Sequence, residues 1–192
     1  MNADVKPNIS ASGGLTVLCI QGACQRHSET SPPPCLFMHI RSYRPDDAPA
    51  LWQVFHSAVH QLTKDDYSLQ QRQAWAPDVP DRTGWQKRLD ALAPYVVESS
   101  QGQALAYADL QSDGYIDHFF VAASASNTGA GRLLIEYIEA QARQRGMQQL
   151  SADVSLTAQG FFQHFGFEVI RQQAPEVRGV QLSNAHMRKL LR

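Results

Sequence analysis

Three groups of residues in this chain have types and spacings that suit chemistry. Gly129-Ala130-Gly131-Arg132-Leu133-Leu134 joins an alternating apolar run, Tyr115 to Val121, to a long amphipathic helix pattern that ends at Gly146. A glycine turn that leads from a strand into a helix exposes backbone N–H groups at the positive end of the helix dipole, which is where phosphate binds. A dinucleotide fingerprint needs Gly or Ala where Leu134 stands, and a P-loop needs Lys and Ser or Thr where Arg132-Leu133 stand; neither pattern describes this turn. The second group is acidic. Asp117 interrupts the apolar run, with Tyr115, Asp117 and Phe119 on one strand face and His118 on the other. An acid buried in an apolar strand is a stronger base, and Asp153, at the end of the next short strand, can approach the same point. Each could instead be structural, hydrogen-bonded to backbone or paired with an Arg such as Arg178. The third group is His56 and His60, at the i, i+4 spacing of metal ligands. No Glu sits between them and no third ligand is obvious, so they read as the polar edge of a core helix and no metal is expected.

The elements that must position these groups follow from periodicity. Met38 to Tyr43 reads as a first strand, and Asp46-Asp47 as the cap of a helix whose first turn tolerates Pro49. Leu51, Val54, Phe55, Ala58, Val59 and Leu62 share one helical face. Ser68-Leu69-Gln70-Gln71 is a capping box for a second short helix that Pro77 ends, and Trp85, Leu89 and Leu92 mark a third. Strands follow at Tyr95 to Glu98, Ala104 to Leu110 and Tyr115 to Val121, with Asp113-Gly114 making the last two a hairpin. After the glycine turn, Leu133, Leu134, Tyr137, Ile138 and Gln141 or Ala142 form a helix. Gln149 to Val154 must then run parallel to the strand before it, as a right-handed crossover requires. Closing strands are expected at about Phe167 to Gln173 and Val180 to Lys189. No internal repeat is visible.

At 192 residues the chain can bury one proper core. A net charge of −1 without a basic run argues against nucleic acid or an anionic membrane as the main partner, and no apolar stretch reaches a membrane span. Cys19, Cys24 and Cys35 all precede Met38, an odd count in one segment and so no disulfide framework. Leu15 to Ile20 is too short an apolar run for a secretory signal, which points to the cytoplasm. Residues 1 to 37 are rich in Ser, Pro and Gly, with Pro32-Pro33-Pro34 before the domain, and have too little apolar surface to fold alone. They are expected to be a disordered extension, with Met38 as the natural beginning of a single domain over 38–192.

Two blocks carry a family resemblance. Ser126-Asn127-Thr128-Gly129-Ala130-Gly131 resembles Gln/Arg-x-x-Gly-x-Gly/Ala, the pyrophosphate turn of the GCN5-related N-acetyltransferases, departing at its first position. Ser155-Leu156-Thr157-Ala158-Gln159-Gly160-Phe161-Phe162-Gln163-His164-Phe165-Gly166-Phe167 resembles that superfamily's Asn-x-x-Ala-x-x-Phe-Tyr-x-x-x-Gly-Phe segment, with Ser155 for Asn and Phe162 for Tyr. A helix with a glycine C-cap explains the periodicity of the second block but not its distance from the first, about one βαβ unit. The likeness extends from about Met38 to the end of the chain. Within it, Tyr67-Ser68-Leu69-Gln70-Gln71-Arg72-Gln73-Ala74-Trp75-Ala76 is similar to a stretch of a small bacterial subgroup.

The resemblance implies an α/β fold, the acyl-CoA N-acyltransferase fold, with a mixed and mostly antiparallel sheet and one parallel βαβ crossover at the cofactor site. It implies direct attack of an amine on the thioester of acetyl-CoA (coenzyme A), without an enzyme-bound acyl group. The cofactor would lie along Phe119, Phe120 and Val121, with its pyrophosphate on Ser126, Asn127, Thr128, Gly129, Ala130, Gly131 and Arg132, and would also meet Ser155, Ala158, Phe161 and Phe162. The backbone N–H of Val121 could polarise the thioester carbonyl. Asp117 and Asp153 are the candidate bases. Phe162 has no proton to give the leaving sulfur, so Tyr115, His164 or water would substitute. Tyr67 and Trp75 would wall the acceptor pocket, where aromatic rings suit amines, with Arg178 and Asn184 from the closing strands facing it. The expected acceptor is a small-molecule or peptide amine, the partners exclude nucleic acid and membrane, and the chain is a monomer or homodimer. The reading from another class is a non-catalytic acyl-CoA-binding module, motivated by Ser126 and Phe162.

Overall fold

The computed structural model describes residues 37–191, so the expectations for residues 1 to 36, cysteines included, lie outside the described residues. Strand β1 (Met38–Ser42) pairs antiparallel with β2 (Tyr95–Ser99), which pairs with β3 (Ala104–Ala108). Arg41 on β1 explains the local geometry that follows. Its guanidinium bonds Glu98 of β2 and both carboxylate oxygens of Asp47, at 2.7 and 2.8 Å for the latter. Asp47 therefore does not cap the next helix with its side chain as expected; Arg41 and the Arg44 N–H take it up, closing a 3-10 turn at Pro45–Asp47.

Helix α1 (Ala48–Ser57) buries Leu51, Val54 and Phe55 and widens into a π turn, Ala58–Leu62, which keeps Ala58 and Val59 buried. Helix α2 (Leu69–Trp75) opens on the expected capping box: Ser68 Oγ accepts from the Gln71 N–H, and Gln71 Oε1 accepts from the Ser68 N–H. Helix α3 (Arg82–Leu92) is capped by Asp81 and anchored by Leu89, which is fully buried.

The run from Tyr115 to Val121 is the pivot of the fold, and it is not one strand. It divides into β4 (Tyr115–Ile116) and β5 (Phe119–Val121). β5 pairs antiparallel with β3, as Ala106↔Val121 and Ala108↔Phe119. β4 pairs instead in parallel with β6 (Gln149–Ser155), as Tyr115↔Ser151 and Ile116↔Ala152. The hairpin with β3 is thus made by β5 alone. The break has a cause that alternation does not report: the carboxylate of Asp109, fully buried, accepts the N–H groups of both Asp117 and His118, at 3.0 and 2.6 Å. Those two N–H groups leave the ladder, and the strand bends.

Two four-stranded sheets result, ordered β1-β2-β3-β5 and β4-β6-β10-β7. Helix α4 (Ala130–Gln144) makes the crossover to β6, burying Leu134, Ile135, Ile138 and Ala142. Helix α5 (Gln159–His164) leads into β7 (Glu168–Gln173), and a two-stranded ribbon, β8 (Glu176–Val177) with β9 (Val180–Gln181), precedes β10 (Asn184–Leu190). The expected strand Val180 to Lys189 is therefore two, interrupted at Leu182-Ser183.

Candidate active site

Because β4 belongs to one sheet and β5 to the other, β5 and the end of β6 diverge. Two clefts open at this point, of about 530 Å³ and 580 Å³. They share Trp75, Phe119, Phe120, Ala158 and Phe162, so they meet at the divergence.

The larger cleft runs from Phe119, Phe120 and Val121 to the glycine turn. Asn127 (φ 60°) and Gly129 (φ 93°) both take left-handed backbone, which swings the chain into α4. Thr128 Oγ1 donates to the Ala125 carbonyl at 2.7 Å and holds the turn. The N–H groups of Ala130, Gly131 and Arg132 form the first turn of α4 and have no intrahelical acceptor, the arrangement that receives an anion. A Cβ on Gly131 would meet the Phe161 ring at 3.3 Å and Val121 at 3.4 Å, so glycine lets α4 approach the cleft floor. Ser126, Asn127, Gly129, Gly131, Arg132, Ala158, Phe161 and Phe162 line this cleft. Three residues expected to meet the cofactor do not line it: Ala130 is fully buried, Thr128 spends its hydroxyl on the turn, and Ser155 lines the other cleft.

The second cleft is aromatic with polar groups at its edges. Trp52, Phe55, Tyr67, Trp75 and Trp85 come from α1, α2, α3 and the segment before α2; Tyr115, Asp153 and Asn184 come from strands and Asp117 from the break between β4 and β5. The Tyr67 hydroxyl donates to the Ser183 carbonyl and accepts from the Leu156 N–H at 3.0 Å, so its ring, not its hydroxyl, is offered to the cleft. Arg178 also lines the cleft, but its guanidinium donates to the carbonyls of Ala74 and Trp75 at the end of α2. Asn184 has the opposite character: its Oδ1 is buried with no partner among the described residues.

Asp117 is not isolated in apolar surroundings. Arg88 of α3 donates to its Oδ2 at 2.6 Å and, through Nε, to His118 Nε2 at 3.0 Å. An arginine can only donate, so Nε2 of His118 carries the lone pair and Nδ1 carries the proton, which faces Tyr107 Oη at 3.2 Å. Burial, helped by the charge of Arg88, pushes His118 down to about 3, so the ring is neutral. Asp109 behind it is pushed up to about 6, chiefly by burial. Asp153 accepts from His186 Nδ1 at 2.7 Å across the β6–β10 ladder, where the two residues are direct partners. Burial first, then the charges of Asp153 and Asp117, raises Tyr115, so its phenol keeps its proton.

Arg88, Asp109, His118 and His186 are the site residues that sequence reasoning missed as partners. Asp109 had a legible signal, an acid ending an apolar strand run, the same signal that singled out Asp117. Arg88 and His186 had none, because each is distant in sequence from the carboxylate it serves. His164 lines the larger cleft.

A family model described as the acetyltransferase (GNAT) domain matches residues 63–191. YafP of Escherichia coli strain K12, described as an uncharacterized N-acetyltransferase, is 32% identical over 151 residues, covering 79% of this chain and 95% of YafP. A crystal structure of a GCN5-related N-acetyltransferase from Rhodopseudomonas palustris superposes with a TM-score of 0.76 at 30% identity, covering 86% of this chain and all of that one. The PaiA N-acetyltransferase of Thermoplasma acidophilum, solved in complex with coenzyme A, has a TM-score of 0.61 at 13% identity over 80% of this chain and 98% of its own, a likeness of fold.

Proposed function

The chain belongs to the GCN5-related N-acetyltransferase family and is an acetyl-CoA-dependent acetyltransferase, and from that premise we propose that it acetylates a primary amine of a small molecule or peptide. The observation that carries this reading is the meeting of the two clefts at Phe119, Phe120 and Phe162, where the strands part. Acetyl-CoA supplies a thioester-activated acetyl group. The residues present fit it: the edge of β5 away from β3 lies at the diverging gap, where an extended chain can pair with backbone, and the unpaired N–H groups of Ala130, Gly131 and Arg132 suit a pyrophosphate. The Val121 N–H is our candidate for polarising the acetyl carbonyl.

On the acceptor side, Asn184 Oδ1 offers a buried acceptor to an amine N–H, and the aromatic walls suit a cation before it is deprotonated. Asp117 is our candidate base, acting directly or through water. Arg88 fixes one of its oxygens, and the 117–118 break holds it at the cleft, with its side chain a quarter exposed. Asp153, held by His186, is the second candidate. With Phe162 unable to protonate sulfur, the Tyr115 phenol is our candidate donor from the acceptor cleft, and a thiol whose ordinary pKa is about 8.5 leaves tolerably as thiolate.

The test is release of free thiol from acetyl-CoA in the presence of single amines, amino acids and peptides, with mass detection of the acetylated product. Turnover with one class at least tenfold above the uncatalysed background identifies the acceptor. Tight binding of acetyl-CoA with no acceptor turned over would overturn the proposal.

A further inference from the structure

The two histidines set aside in the sequence acquire a third partner in the fold. His56 sits at the end of α1 and His60 in the π turn that follows, and their rings face each other with centroids 4.2 Å apart at 23°. Asp78, in the loop after α2, brings its Oδ1 to 3.2 Å from His56 Nε2. One ligand atom from each of His56, His60 and Asp78 lies within 4.8 Å of the others. We propose that these three side chains form a divalent transition-metal site, suited to zinc, that clamps the loop carrying Pro77 and Asp78 to the wide end of α1.

Three features argue for it beyond proximity. The tautomer of His60 is set: its Nε2 lies 2.7 Å from the Ala76 carbonyl, which can only accept, so Nε2 holds the proton and Nδ1 presents its lone pair. A ligating histidine whose other nitrogen donates to a carbonyl is the usual outer arrangement of a metal site. The His56–Asp78 separation of 3.2 Å matches the edge of about 3.3 Å expected between ligands of tetrahedral zinc with bonds of about 2.0 Å. The metal would there replace the proton shared by imidazole and carboxylate. Joint ligation needs Asp78, whose side chain is 67% exposed, to move and one of the two stacked imidazoles to turn so that both ring planes meet at the ion. The set of two imidazoles and one carboxylate is one that zinc accepts, with water completing the shell. The cations beside this segment are engaged by carbonyls, Arg72 Nη1 donating to that of His60 at 2.6 Å and Arg178 to those of Ala74 and Trp75. The site abuts the acceptor cleft, which Trp52, one turn before His56, and Pro77 both line.

The experiment uses the untagged full chain with Cys19, Cys24 and Cys35 replaced by serine, so that thiolates cannot contribute. The metal-free protein is titrated with Zn²⁺ and Co²⁺ alone, reading stoichiometry, the Co²⁺ absorption spectrum and the melting temperature. The expected result is one equivalent bound at low micromolar concentration, a melting temperature that rises with Zn²⁺, and at least a tenfold loss of affinity in His56→Asn, His60→Asn and Asp78→Asn. Asp78→Asn changes an exposed side chain, so it decides the question even if a histidine variant misfolds. No binding at tens of micromolar metal, or affinity within threefold of the parent in Asp78→Asn, overturns the proposal. None of these outcomes depends on turnover, so the metal site stands or falls independently of the acetyl-transfer reading.

Discussion

At the scale of single residues, the site is decided by who partners whom. Asp117 is tied to Arg88, and Asp109 to the backbone of the strand break. If Asp117 takes the amine proton, Asp117→Asn should lower kcat at neutral pH by about 10²- to 10³-fold in a free-thiol assay, leaving acetyl-CoA affinity within a few fold. An unchanged rate and pH profile would pass the role to Asp153. His118 governs acid stability. Folded His118 takes up a proton only near 3, against 6.5 ordinarily, so the unfolded state holds the extra proton between those values. Its contribution to stability is therefore present above about pH 6.5 and is lost as pH falls toward 3. Asp109 works in the other direction: raised to about 6, it holds an extra proton in the folded state, so its contribution falls as pH rises from about 4 to 6. His118→Gln keeps an acceptor for Arg88 and removes only the first effect. By denaturant titration, the stability gap between parent and variant should narrow by about 2 kcal/mol between pH 7 and pH 5, a shift of about 1.5 pH units at one proton.

At the scale of elements, the glycine turn and the capped wall helix do distinct work. Gly131→Ala puts a methyl 3.3 Å from Phe161, which the ring can accommodate by shifting a few tenths of an ångström, so the fold should persist with a loss of about 1 kcal/mol or less. Gly131→Glu adds bulk and negative charge beside the unpaired N–H groups of α4. It should weaken acetyl-CoA binding at least tenfold by calorimetry while the Ala variant binds within threefold. Equal affinity in both would remove the turn as the pyrophosphate site. Helix α2 relies on the reciprocal bonds of Ser68 and Gln71, and Gln71 also reaches the Gln181 carbonyl on β9. Ser68→Ala should cost about 1 kcal/mol, lowering the melting temperature by about 2–4 °C.

At the scale of the molecule, the cleft exists because one run of chain serves two sheets. β4 and β5 are separated by two residues, yet pair with different neighbours and diverge. β1 already pairs along its whole length with β2, and Met38 and Ile40 pack against the core. We therefore expect a protein that starts at Met38 to melt within about 2 °C of the full chain and to retain its activity, judged by calorimetry and thiol release. A fall of several degrees would mean that residues such as Leu15 to Ile20 contribute to the domain. No helix among the described residues is long and apolar enough to cross a membrane.

The sequence by itself determined the elements whose signals are local. Side-chain period, the Ser68–Gln71 capping box, the Gly129–Gly131 turn and the Gly166 stop each depend on neighbours within a few residues, and they reappear at their expected places. The two motif blocks added the family, because their order and spacing reflect one βαβ unit. What the tertiary structure alone decided were the long-range partnerships. Arg88 reaches Asp117 across 29 positions, Asp153 reaches His186 across 33, and Asp78 reaches His56 across 22. Alternation alone read Tyr115 to Val121 as one strand, since a period of two reports which face a side chain takes and says nothing of where its backbone N–H finds an acceptor. The buried carboxylate of Asp109 took two of those N–H groups, and with that single exchange the strand became two and the cleft opened.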